Sequence, residues 1–164
     1  MTVSAVVVLV VVGQARGLWL ANLHNGLLAI AFGAVGAYVS FERPRHRLGR
    51  LFLASGLVEA VLFCGRQVGH VSTSADGRWL GWLGVWPVVI ALALVTLAVL
   101  CFPDGRLPSA RWRPVVAGVL VVTAVCATMS ALWPVEYAST GLTLRHPINA
   151  TAPGAIDTTW SAIA

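Results

Sequence analysis

The chain has 164 residues, of which 58% are hydrophobic and 10% charged, with a mean hydropathy of +0.83. A soluble domain carries roughly a quarter charged residues, so this chain has too little polar surface to cover a globule in water, and an ordinary soluble domain is excluded in favour of an integral membrane protein. All 11 basic residues are arginine, against six acids, for a formal charge of +5; in short connectors between apolar runs that excess reads as topology and lipid-headgroup contact rather than a nucleic-acid surface.

Taken in order, the chain predicts an all-α, polytopic membrane protein with five transmembrane helices and the start of a sixth. Val3 to Val12 is nearly pure valine, about half the length a span needs. Extending it to Leu20 takes in Gln14 and Arg16. A second apolar run, Leu27 to Phe41, becomes long enough only by reaching back through Asn22 and His24. Two spans, 3–20 and 22–41, joined by a tight turn near Ala21–Gly26 are therefore expected. An isolated valine-rich strand is excluded, because its backbone would go unsatisfied in lipid. The first run lacks the basic flank and small-residue cleavage site of a secretory signal, so it is expected to be retained. Gly33 and Gly36, with Ala29, Ala34 and Ala37, give the second helix a small-residue side suited to close helix contact.

The loop 42–50 follows, with Arg43, Arg45, Arg47 and Arg50 around the helix-ending Pro44. It is the strongest positive-inside signal in the chain. A third span is expected over 51–68, then a polar connector, Gly69 to Arg78, whose Ser72 to Gly77 is turn chemistry. Trp79, Trp82 and Trp86 cluster at the head of a fourth span, 80–102, as an interfacial belt would. Pro87, within its first two turns, predicts a mild kink. A fifth span is expected over 114–133, with Pro114 suited to the first turn. Residues 134–158 read as an outer loop, and those from 159 as the first turn of another helix, which suggests a piece of a longer membrane protein. Loops 42–50 and 103–113 hold seven of the 11 arginines and fall on one side if the spans alternate. That places the N-terminus and both loops in the cytoplasm of a multi-pass cell-membrane protein.

Between the fourth and fifth spans lies the densest stretch, Phe102 to Val115. Pro103, Asp104 and Gly105 form a turn signature: proline presets φ, aspartate bonds the following backbone, and glycine accepts φ > 0. Pro108 makes a second bend. Arg111, Trp112 and Arg113 set an indole between two guanidiniums at the mouth of a helix begun by Pro114, with the ring at headgroup depth and the arginines on phosphates. Asp104 is placed to pair with Arg106 or Arg111. The loop reads as a topological anchor or as a docking surface for a cytoplasmic domain.

Glu59 is the one carboxylate near the middle of a span. Charge at that depth costs about 2.5–3.5 kcal/mol on insertion scales, so it should face the bundle, be protonated or find a cation. With Arg66 and Gln67 it forms the candidate intramembrane polar set, for which Arg16 or Gln14 are candidate partners. A buried structural contact, a ligand- or proton-sensing site and a transport pathway are all compatible with it. The cysteines Cys64, Cys101 and Cys126 lie in apolar runs without metal or disulfide spacing. His24, His46, His70 and His146 fall in four different connectors, and a solvated role is expected for each. Asn149-Ala150-Thr151 matches a glycosylation sequon. No catalytic triad, phosphate loop or paired carboxylate is visible, so no catalytic, cofactor or metal residue is assigned and no enzyme activity is expected of this chain.

Phe102 to Val115 resembles the FPDGRLPSxRWRPV loop in the multi-span N-terminal membrane region of actinobacterial sensor histidine kinases. Trp82 to Pro87 resembles the segment preceding that loop. Arg43 to Phe52 is similar to its RPRNPIGW-type loop, although here His46-Arg47 stand where Asn-Pro is usual and Arg50 where Trp is usual. His146-Pro147-Ile148-Asn149 is faintly similar to a further Asn-Pro-Leu-Gly element. The resemblance covers roughly residues 27–150. It implies a membrane sensor or anchor module serving a two-component kinase, with the lipid bilayer, a kinase domain in cis or in trans and a second copy of the chain as partners, and no nucleic acid. A small transporter or channel subunit is the alternative.

Overall fold

A computed structural model describes residues 19–72, 74–133, 142, 146–148 and 162. The expected span 3–20, the loop 134–158 for the most part, Gln14, Arg16, Arg145 and the sequon lie outside the described residues. Those described are helical, with no strand among them: α1 (Trp19–Glu42), α2 (Arg47–Val71), α3 (Ala75–Leu83), α4 (Val88–Leu100), a 3-10 turn (Ala110–Trp112) and α5 (Arg113–Leu132). Four stretches are long and apolar enough to cross a membrane: Asn22–Glu42, Arg47–Val71, Asp76–Leu100 and Ala110–Leu132.

The boundaries correct the expected ones in three places. Residues 21–26, expected as a turn, lie inside α1; Asn22 and Asn25 find side-chain partners within the bundle, so polar residues there need no loop. The connector expected over 69–78 shrinks to 72–74, which moves His70 into the last turn of α2. Ser74 caps α3 by accepting from the Gly77 amide at 3.2 Å, and Asp76 sits in the first turn, where the helix dipole favours an acid. At the other loop, α1 ends at Glu42 because Arg43 precedes Pro44. A turn closed by His46 N–H donating to Arg43 O at 2.9 Å then starts α2 at Arg47, four residues earlier than expected.

Pro87 produces a break, not a mild kink. Residues 84–87 are a turn separating α3 from α4. The Val88 amide turns to Val85 O instead of Gly84 O, and Arg66 Nε takes up the freed Gly84 carbonyl at 2.7 Å. An arginine of α2 thus satisfies the backbone group that the break exposes.

α2 is the central helix, packed against α1, α3 and α4, while α5 packs on α4. Its contacts are made backbone to backbone through glycine. A Cβ on Gly56 would fall 2.7 Å from Gly33 N, and one on Gly36 would fall 2.6 Å from Leu53 N and 2.9 Å from Gly49 O. Gly33, Gly36 and Ala29 do form a small-residue contact face, whereas Ala34 and Ala37 point outward. On the opposite side of α2, Gly65 and Gly69 meet α3 in the same way: a Cβ on Gly65 would lie 2.5 Å from Gly84 N, and one on Gly69 2.8 Å from Gly81 Cα. The outward faces are apolar, with Leu27, Val35 and Tyr38 of α1, Leu92 and Val99 of α4, and Val121, Val122 and Val125 of α5 all exposed. Within α5 only Ser130 is buried.

Candidate functional site

Two regions gather chemistry, one inside the bundle and one at its end. The inner one lies on α2. Glu59, Phe63 and Gln67 follow each other at intervals of four residues and so share a face. Phe63 is fully buried, Gln67 is 1% exposed and Glu59 7% exposed. From α1, Asn22 donates through Nδ2 to the Phe63 carbonyl at 3.0 Å, and Asn25 Nδ2 donates to Asn22 Oδ1 at 2.8 Å. Both asparagines are buried. A polar seam therefore runs between α1 and α2, one helical turn from both Glu59 and Gln67. Among the described residues, neither amide atom of Gln67 and not Oε2 of Glu59 has a hydrogen-bond partner. Arg66 is the charge that bears electrostatically on Glu59, while its Nε is committed to Gly84.

Glu59, Arg66 and Gln67 stand out in the sequence as polar residues of a span, whereas Asn22 and Asn25 join them only through the helix packing. Their signal was present: three residues apart, they lie on one side of a helix, in register with Ala29, Gly33 and Gly36.

The second region is the end of the bundle where the two arginine loops meet. Gly105 adopts φ +69, as the turn signature requires, and its amide donates to Cys101 O at 2.7 Å. A Cβ there would lie 3.2 Å from Arg47 Cβ, so the turn after α4 sits directly on the first residue of α2. The Phe102–Pro103 peptide is cis. Between the loops lies a cleft of about 1200 Å³, lined on one side by Arg43, Arg45, Arg47 and Arg50 and on the other by Pro103 to Pro108, Arg106 among them. Asp104 lines the same cleft but, among the described residues, forms no ion pair with Arg106 or Arg111, contrary to the expected pairing. Trp112 is exposed within the 3-10 turn between Arg111 and Arg113, and Pro114 occupies the first turn of α5 as expected.

The opposite end is tryptophan-rich. Trp79, Trp82 and Trp86 pack in series, the first pair edge to face and the second tilted, with ring centroids 5.8 Å and 5.3 Å apart. Trp82 Nε1 donates to Ala131 O at 2.8 Å, tying α3 to the end of α5. His146 is buried, and accepts from the Ile148 amide through Nδ1 at 3.3 Å; burial pushes its imidazole below the usual histidine range. Of the other histidines, His24 lies exposed inside α1 and His46 precedes α2 in the arginine cleft. In comparisons with known proteins, the chain matches no family model, no curated protein and no solved structure. The likeness of Phe102–Val115 to a kinase membrane region thus rests on its residues alone.

Proposed function

We propose that the chain is a membrane-embedded sensor or anchor module of the type that serves a two-component histidine kinase. In this reading it lies in the cell membrane as a multi-pass bundle, with residues 42–50 and 103–113 facing the cytoplasm. The observation that carries the reading is the meeting of two loops, far apart in sequence, in one arginine surface at a single end of the bundle. Arginine concentrated at one end is the signature of the cytoplasmic side. A single helix also links the two regions: from Gln67 to Arg47, α2 spans about 30 Å at 1.5 Å per residue. A repacking of the polar seam would reach the arginine surface as a movement of that helix, and a kinase domain in cis or in trans would read it there. In a homodimer two such helices would move together.

Two measurements test this. The reading frame beyond codon 164 is expected to continue into a histidine-bearing helix and a nucleotide-binding domain, or to neighbour a gene that does. A frame that closes at once with no kinase gene adjacent would overturn the kinase role. Orientation is tested by His46→Cys and Ser109→Cys, each in a background lacking Cys64, Cys101 and Cys126. Both should resist an impermeant thiol reagent added to intact cells, and labelling of either from outside would reverse the topology.

One observation favours a second reading, a small transporter or channel subunit. The apolar stretch 76–100 is broken at 84–87, and discontinuous helices are typical of transporter binding sites. That reading predicts solute flux in proteoliposomes that Glu59→Gln abolishes; absence of flux across a panel of cations and small metabolites would remove it.

A further inference from the structure

Anchoring at headgroups needs arginines at the bundle end, but it does not need them around a cleft. Here Arg43, Arg45, Arg47, Arg50 and Arg106 all line one space, with Asp104 as the one acid in its lining. Among the described residues, no side-chain hydrogen bond or ion pair engages any of the five guanidiniums. α2 starts inside this cleft with no acid in its first turn and no side-chain cap. The positive end of its dipole therefore adds to the arginines instead of being offset. The site is built for a phosphate-type anion, to which guanidinium offers paired donors.

Two apolar grooves open from the same cleft. One, of about 520 Å³, shares Arg43, His46, Phe102 and Pro103 with it, has Glu42 at its cleft end, and follows α1 past Val39 to Val35 between otherwise apolar walls. Val35 lies about 10 Å along the helix from Glu42. The other, of about 480 Å³, shares Arg47, Arg50, Gly105 and Arg106 and is walled by Leu51, Leu97 and Val116. A phosphate from solution would use the guanidiniums and leave both grooves idle. A glycerophospholipid would use all three, with its phosphodiester in the cleft and acyl chains descending on either side. A headgroup with its own ammonium would set that cation among five guanidiniums, so net-anionic lipids fit better.

We propose that this cleft is a binding site for an anionic glycerophospholipid, its phosphodiester held among Arg43, Arg45, Arg47, Arg50 and Arg106 and its acyl chains in the two grooves. The proposal rests on the membrane placement above but not on the kinase role.

Native mass spectrometry of the whole chain released from detergent micelles tests it, with dioleoyl phosphatidylglycerol, dioleoyl phosphatidylcholine, soluble glycerophosphate and inorganic phosphate as probes. Phosphatidylglycerol should bind at a defined stoichiometry, at least about tenfold more tightly than phosphatidylcholine. The variant Arg45→Ala/Arg106→Ala should lose at least roughly thirtyfold, because each substitution deletes a direct charge-assisted bond to the phosphodiester. Arg111→Ala/Arg113→Ala removes the same charge from the same end but outside the cleft, and should stay within about threefold of wild type. Retained helical circular dichroism shows that each variant is folded. Equal losses in the two variants, or none in the first, would overturn the site. If glycerophosphate or inorganic phosphate binds as tightly as the lipid, the cleft takes its anion from solution and the lipid assignment fails. Each of these results is separable from the topology experiment, since cysteine labelling can succeed while lipid selectivity is absent.

Discussion

Replacing Gly65 with alanine tests the packing on which the bundle depends. The added Cβ would lie 2.5 Å from both Gly84 N and Leu80 O, and 2.7 Å from Gly84 Cα. All three are backbone atoms, so no side chain can rotate out of the way, and relief requires α3 and its turn to move off α2 by about 1 Å. Overpacking of this kind costs about 1–3 kcal/mol. The same movement pulls Gly84 O away from Arg66 Nε, now at 2.7 Å, and a hydrogen bond to a charged group contributes about 1.5–3 kcal/mol. Alanine returns about 1 kcal/mol through helix propensity. The net expectation is a loss of about 1.5–5 kcal/mol. Gly118→Ala is the matched control, because a Cβ there meets nothing within 4 Å; it should be neutral or gain up to about 1 kcal/mol. Reversible unfolding of both variants in one detergent, followed by tryptophan fluorescence and circular dichroism, measures the difference. A Gly65→Ala protein as stable as Gly118→Ala would show that the glycine contact between α2 and α3 is not made.

Three further outcomes are expected. Glu59→Gln should keep wild-type stability to within about 1 kcal/mol, since Oε2 has no hydrogen bond to lose among the described residues; a drop of more than about 2 kcal/mol in detergent unfolding would reveal a cation that the carboxylate holds. Trp82→Phe deletes the bond to Ala131 O and trims the indole to a single ring packed against Trp79 and Trp86, and should lose at least about 1 kcal/mol in the same assay; an unchanged midpoint would disprove the α3–α5 tie. Because burial depresses the His146 pKa, its neutral form favours the folded state, so its contribution is complete above the unfolded value of about 6.5 and is lost as pH falls from there toward the folded value. Thermal midpoints should therefore decline below about pH 6.5 more steeply in wild type than in His146→Gln, and parallel curves would refute it.

Much of this architecture is legible in the sequence because hydropathy and prolines act locally. Four apolar runs long enough to span, the stop at Pro44 and the start at Pro114 all follow from residues within a turn or two of the boundary. The same locality misleads where tertiary partners intervene. Asn22 and Asn25 look like turn residues until α2 supplies a carbonyl for one and the first asparagine accepts from the second. Arg66 reads as a member of the polar set around Glu59 until a break eighteen residues on presents a bare carbonyl to it. The spacing Gly65-x3-Gly69 names no interface by itself, and its partner surface, Gly81 and Gly84, is defined only once α3 folds back.

Phe102–Val115 shows the division most clearly. Its turn chemistry, its arginines and its position between two apolar runs long enough to span are properties of the chain read in a line, because φ preferences and charge need no neighbour. That Gly105 rests on Arg47, and that four arginines from one loop and one from another enclose a single cleft with apolar grooves on either side, follow from the antiparallel packing of α2 against its neighbours. Burial through glycine brings those helices close enough for two loops, more than fifty residues apart, to share one surface.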